Sequence, residues 1–155
     1  MWRAQKFCCC ISFQIGCAII SFVTFCLCIV HLVEFFRVEE IGVAYDASDW
    51  LNVLWGMLHL VAAMCLSYSL LVQRALISIL IYIIIEAVYL IYVIIYTSVS
   101  CALGTNTYAN YSLTYSIVLW IFVVLICVTT IYFLYIVTSY YILRRQQRND
   151  ANQQV

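Results

Sequence analysis

Residues Ala75–Tyr96 read ALISILIYIIIEAVYLIYVIIY, 22 residues with one charged side chain, Glu86, at the centre. A helix rises 1.5 Å per residue, so this run covers a hydrocarbon core of about 30 Å and puts Glu86 near the bilayer midplane. Inserting a charge at that depth costs roughly 2.5–3.5 kcal/mol, so Glu86 is expected to face other helices and not lipid. The rest of the chain reads as the bundle that shelters this helix.

Three further apolar runs are long enough to span. The predicted fold is therefore all-α, a four-helix transmembrane bundle in a single domain covering 1–155. Its spans lie at about 11–33, 50–72, 75–96 and 114–140, with outside loops at 34–49 and 97–113 and a cytosolic tail at 144–155. Composition agrees: 67% of the 155 residues are hydrophobic, 9% are charged and none is Pro. These values lie outside the range of soluble domains. Connections this short leave no room for a soluble catalytic or ligand-binding domain.

Charge sets the expected topology. Arg3 and Lys6 precede an apolar run without an A-x-A-like cleavage site, which reads as a retained first helix. Arg74, Arg144, Arg145 and Arg148 fall on the same side on these boundaries, and Arg37 alone is opposite. The positive-inside rule then places both termini in the cytosol. The first outside loop carries Glu34, Glu39, Glu40, Asp46 and Asp49 against Arg37. One reading is a docking surface for a basic partner or cations; the other is a solvated loop kept negative by topology.

The second and third spans are joined by Gln73 and Arg74 alone, a tight antiparallel hairpin. His59 and Glu86 then lie in nearly the same layer, an intramembrane polar pair if both face the hairpin seam. At 100° per residue, Tyr82, Glu86, Tyr89, Tyr92 and Tyr96 fall within an arc of about 120°, a polar seam that needs partners on other helices. Two roles compete for Glu86 and His59: a proton relay, and interhelical hydrogen bonds worth on the order of 0.6 kcal/mol and up to about 2. His31 falls near the outer end of its span, well above His59, which argues against haem held between the two.

The chain has nine cysteines, but only Cys101 is clearly outside on these boundaries, and one cysteine closes no internal bridge. Cys8, Cys9 and Cys10, beside basic residues at a membrane edge, form a candidate S-acylation site; the plainer reading is three small residues at a helix start. Asn110-Tyr111-Ser112 is an N-glycosylation sequon whose closeness to the next span works against efficient modification. The sequence carries no catalytic triad, nucleotide-binding or metalloenzyme motif. A non-enzymatic protein is expected, with no cofactor, no metal and no nucleic-acid partner.

The opening Phe7-Cys8-Cys9-Cys10 with Ile15-Gly16, and the closing run Tyr132-Phe133-Leu134-Tyr135-Ile136-Val137-Thr138-Ser139-Tyr140-Tyr141, resemble the insect Pasiflora-like four-span family of septate-junction proteins. They are also similar, more distantly, to lysosome-associated four-span proteins. The chain departs from these patterns in two places: Phe13-Gln14-Ile15-Gly16 stands where Arg-Thr-Gly often follows the Cys cluster, and the tail has no Pro-Pro-x-Tyr motif. The resemblance implies a structural or assembly component of an occluding-type junction at the plasma membrane. Its partners would be the lipid bilayer and other membrane proteins of the junctional complex, including copies of itself. The alternative is a proton-linked small-solute transporter, or an endosomal or lysosomal transport accessory protein, using Glu86 and His59.

Overall fold

The computed structural model describes residues 12–41, 47–72 and 75–153, with backbone only at 34, 35, 37–41, 47–49, 107, 108 and 151–153. Among the described residues every regular element is helical. The helices are α1 (Phe13–Ile41), α2 (Ala47–Leu71), α3 (Leu76–Ala102), α4 (Thr107–Tyr111) and α5 (Leu113–Gln153). Four of them, all but α4, are long and apolar enough to cross a membrane.

The helices run further than the apolar runs that predict them. α1 continues through eight residues expected in the first outside loop, α3 continues to Ala102, and α5 carries the expected tail to Gln153. Hydropathy marks where a chain leaves hydrocarbon, whereas a helix ends where its backbone is forced out of αR. Between Gly16 and Gly42 the sequence offers neither Gly nor Pro, and none follows Gly104, so nothing local stops α1 or α5 at the membrane edge. α3 does stop at such a residue. Gly104 adopts a left-handed φ of 66°, and the amides of Thr105 and Asn106 donate to the Ser100 carbonyl at 3.0 and 3.2 Å.

The chain forms two compact units, Met1–Ile85 with Ile136–Val155, and Glu86–Tyr135. In the first, α1 and α2 pack along their lengths as antiparallel neighbours. Small side chains are prominent among the buried positions of the two helices. On α1 the positions Cys17, Ser21, Thr24 and Cys28 are buried at steps of four and three residues. On α2 the matching positions are Gly56, His59, Ala62 and Ala63, also buried. Small residues let backbones approach, which is how helices associate where lipid competes equally for apolar contact.

Burial departs from that of a soluble domain, because large apolar side chains cover the surface while polar ones are found inside. Large apolar side chains such as Phe22, Val118, Ile121 and Leu125 are exposed, while Ser21, Thr24, His59, Glu86, Thr97, Ser100 and Thr130 are buried. This distribution and the four long apolar helices are those of an integral membrane protein.

α1 and α2 approach closely at Gly56. A Cβ placed there would stand 3.2 Å from Leu32 Cδ2 and 3.5 Å from the Cys28 carbonyl oxygen. Gly56→Ala needs only a small rotation of Leu32 and should change detergent-solution stability little. Gly56→Leu must push the helices apart, and a loss of about 1–3 kcal/mol is expected, read as a lower thermal midpoint of the purified protein. Equal midpoints for Gly56→Leu and the parent would show that the contact does not govern stability.

Candidate functional site

The residues able to do chemistry are the buried polar side chains of the spanning helices. In the first unit they form a ladder along the α1–α2 contact. Ser21 Oγ donates to the Ala63 carbonyl at 2.9 Å and lies 2.7 Å from Ser67 Oγ. Thr24 Oγ1 lies 3.4 Å from Tyr82 Oη, a long bond that ties α3 to α1. Farther along, His59 is fully buried, and its Nδ1 lies 2.8 Å from the Trp55 carbonyl oxygen one turn back. A carbonyl only accepts, so Nδ1 carries the proton in this contact.

His59 also stacks on His31, with ring centroids 5.3 Å apart and planes 11° from parallel, and it meets the Trp55 ring at 6.1 Å. This corrects the placement of His31 well above His59. The expectation ended α1 at residue 33; the helix runs to Ile41 and α2 begins at Ala47. His31 is then ten residues before one helix end and His59 twelve after the other, which is the same level of an antiparallel pair. The new neighbourhood is not a haem site. The imidazoles lie face to face, and the Nδ1 of one is held by a carbonyl, whereas axial ligands aim nitrogens at one iron from opposite sides. Among the described residues no cluster of three or more His, Cys, Asp or Glu could hold a metal ion.

The second unit begins at Glu86. Glu86 is 3% exposed, Tyr89 is equally buried, Tyr92 is half-buried and Tyr96 is 39% exposed. The three tyrosines form a stack along α3, with centroid separations of 6.5 Å for Tyr89–Tyr92 and 5.3 Å for Tyr92–Tyr96. The buried arc of α3 is narrower than the predicted seam and shifted from it. Ile79, Tyr82, Glu86, Tyr89, Thr97 and Ser100 are buried, and at 100° per residue they fall within about 80°. Tyr92 and Tyr96 lie on the flank of that arc, and both are less buried than Tyr89. His59 and Glu86 are thus each buried in a spanning helix, one in each unit.

The connection after α3 is tied down by asparagines. Asn106 caps α4, accepting from the Ala109 amide at 3.0 Å, and its Nδ2 donates to Ser100 Oγ at 3.3 Å. Asn110 is exposed on α4, and its Nδ2, the atom a glycan would be attached to, donates to the Gly104 carbonyl. Glu34, Glu39 and Glu40 belong to the helical backbone of α1 and Asp49 to the first turn of α2. Asp46 and the cysteines Cys8, Cys9 and Cys10 lie outside the described residues.

Sequence reasoning passed over Ser21, Thr24 and Cys28, and weighed His31 only as a haem ligand, because each is individually unremarkable in an apolar run. The available signal was their joint spacing, 17, 21, 24, 28 and 31, a four-three repeat of small or polar residues that marks one face of α1. Ser21 is the test of that ladder. Ser21→Ala removes two hydrogen bonds and is expected to cost on the order of 0.6–1.7 kcal/mol, with Ser67→Ala adding less in the double variant than alone. Strict additivity in that cycle, measured by reversible unfolding in mixed micelles, would show that the hydroxyls are not coupled.

No protein-family model, curated protein or solved structure matches the chain.

Proposed function

We propose that the protein is a non-enzymatic structural or assembly component of a membrane complex, of the occluding-junction type at the plasma membrane, with both termini cytosolic. The observation that carries this reading is the broad apolar surface of the helices, with polar side chains buried among them. Almost the whole chain is spent on four apolar helices, and some of their polar groups are buried and bonded from helix to helix, as at Ser21 with Ala63 and Thr24 with Tyr82. Hydroxyls used in this way hold helices in register. The resemblance of the Cys-cluster opening and the Tyr-rich closing run to junctional four-span proteins supports the cellular setting.

Contacts with partners would use the lipid-facing helix surfaces within the bilayer. The acidic residues Glu34, Glu39, Glu40, Asp46 and Asp49 would serve outside it. S-acylation of Cys8, Cys9 and Cys10 would strengthen the hold on the cytosolic leaflet, since each added acyl CH₂ contributes about 0.8 kcal/mol of membrane affinity.

A second reading rests on Glu86, an acidic residue 3% exposed in the middle of a spanning helix. Intramembrane acids commonly mark proton or solute paths, and a proton-linked transporter or transport accessory protein would use Glu86 with His59.

One substitution separates the two. Glu86→Gln keeps a hydrogen-bonding side chain of the same size but cannot carry a proton. The experiment follows tagged parent and Glu86→Gln proteins in polarised epithelial cells lacking the endogenous protein, scored against junctional and lysosomal markers. The scaffold reading expects both forms at lateral junctions, each restoring a paracellular dye barrier. A lysosomal parent whose pH-dependent solute flux is abolished by Glu86→Gln would replace it with the transporter reading.

The sequon gives an independent check of topology and modification. Asn110 is three residues from the start of α5 and is held by the Gly104 carbonyl. Little or no glycosidase-sensitive mobility shift is expected for the parent. Moving the sequon outward with an inserted polar linker should produce one, provided this connection faces the lumen during synthesis.

A further inference from the structure

α5 is 41 residues long and does not end with its apolar part. After Leu143 the helix continues through Arg144, Arg145 and Arg148 to Gln153. At about 100° per residue these arginines fall at about 0°, 100° and 40°, so all three share one face. The only acid of the extension, Asp150, falls at about 240°, on the opposite side. Arg145 and Arg148 are exposed and Arg144 is half-buried.

Arg144 is anchored. Its Nε donates to Tyr140 Oη at 3.0 Å, and its guanidinium carbon stands 5.1 Å from the Tyr140 ring centroid, with Tyr140 itself buried. That bond uses one of five N–H donors, leaving the two Nη groups outside it. The cluster therefore begins at an anchored guanidinium immediately beyond the apolar run.

We propose that this face of α5 is a docking surface for the headgroup of a phosphoinositide in the leaflet from which the helix emerges. Charge complementarity argues for an anion, since positive charge is gathered on one side and the single carboxylate stands on the other. Residue type argues for phosphate. All three cations are Arg, whose planar fork pairs two N–H groups with two phosphate oxygens, where Lys offers only a point charge. Spacing argues for more than one phosphate. Arg145 and Arg148 are three residues apart on a helix, with Cβ atoms about 5–6 Å from each other, so one polyphosphorylated headgroup can meet both. Position argues for a lipid over a free ion, because the face starts where the apolar run stops.

The test uses the full chain in detergent and measures binding of dioctanoyl phosphatidylinositol bisphosphate by native mass spectrometry. Dioctanoyl phosphatidylserine and inositol trisphosphate are the comparison probes. The bisphosphate lipid is expected to bind on the order of tenfold more tightly than phosphatidylserine. Arg145→Gln with Arg148→Gln should weaken it by on the order of 10- to 30-fold, at about fivefold per arginine. Arg145→Lys with Arg148→Lys keeps the charge and should still weaken it several-fold, because the fork is lost. If the Gln pair aggregates, the Lys pair carries the test, and full binding by it overturns the proposal. Equal affinity for phosphatidylserine overturns it in favour of diffuse charge attraction. Inositol trisphosphate binding as tightly as the lipid overturns it in favour of a soluble phosphate ligand.

Discussion

A hydroxyl, imidazole or carboxyl group in a bilayer has no water to fall back on, so each must find its partner inside the protein. The rest of this structure follows from that constraint. Ser21 meets the Ala63 carbonyl and Ser67, Thr24 meets Tyr82, and His59 meets the Trp55 carbonyl and the His31 ring. Each bond is modest, but its alternative is an unsatisfied polar group in hydrocarbon. The geometry in which these partners line up is therefore selected over other ways of pressing apolar helices together.

The same constraint explains the use of small residues. Lipid tails solvate Leu as well as a neighbouring helix does, so apolar burial gives α1 and α2 little reason to associate. Gly56 lets the backbone of α2 approach the Cys28 carbonyl, and this closeness brings Ser21 Oγ within reach of a main-chain oxygen. Close approach and polar pairing thus depend on each other, and large apolar side chains such as Phe22 are left for the lipid-facing surface.

Where α5 leaves the apolar run, the balance reverses. Arg144 follows directly on the apolar run and is steadied by the ring and hydroxyl of Tyr140. A helix that continues beyond this point keeps Arg145 and Arg148 in fixed angular relation to Arg144, which a flexible tail would not. The order imposed by hydrocarbon on the spanning part is in this way handed on to the residues just outside it.

The amino-acid sequence by itself determined that the chain is helical, that four runs are long and apolar enough to span, and that Glu86, Tyr82 and Tyr89 share an inward face. These are consequences of composition and of a 100° period, both local. The ends of the helices were less legible, because hydropathy reports where hydrocarbon stops and not where the backbone leaves αR; α1 therefore runs through Glu39 and Glu40 to Ile41. That single shift decided the pairing of His31 with His59, since which residues face each other in an antiparallel pair depends on where the turn falls. The tertiary structure also narrowed the α3 face to the arc holding Thr97 and Ser100 and left Tyr96 on its flank. A period fixes which residues share a side, but only packing fixes how much of that side is covered.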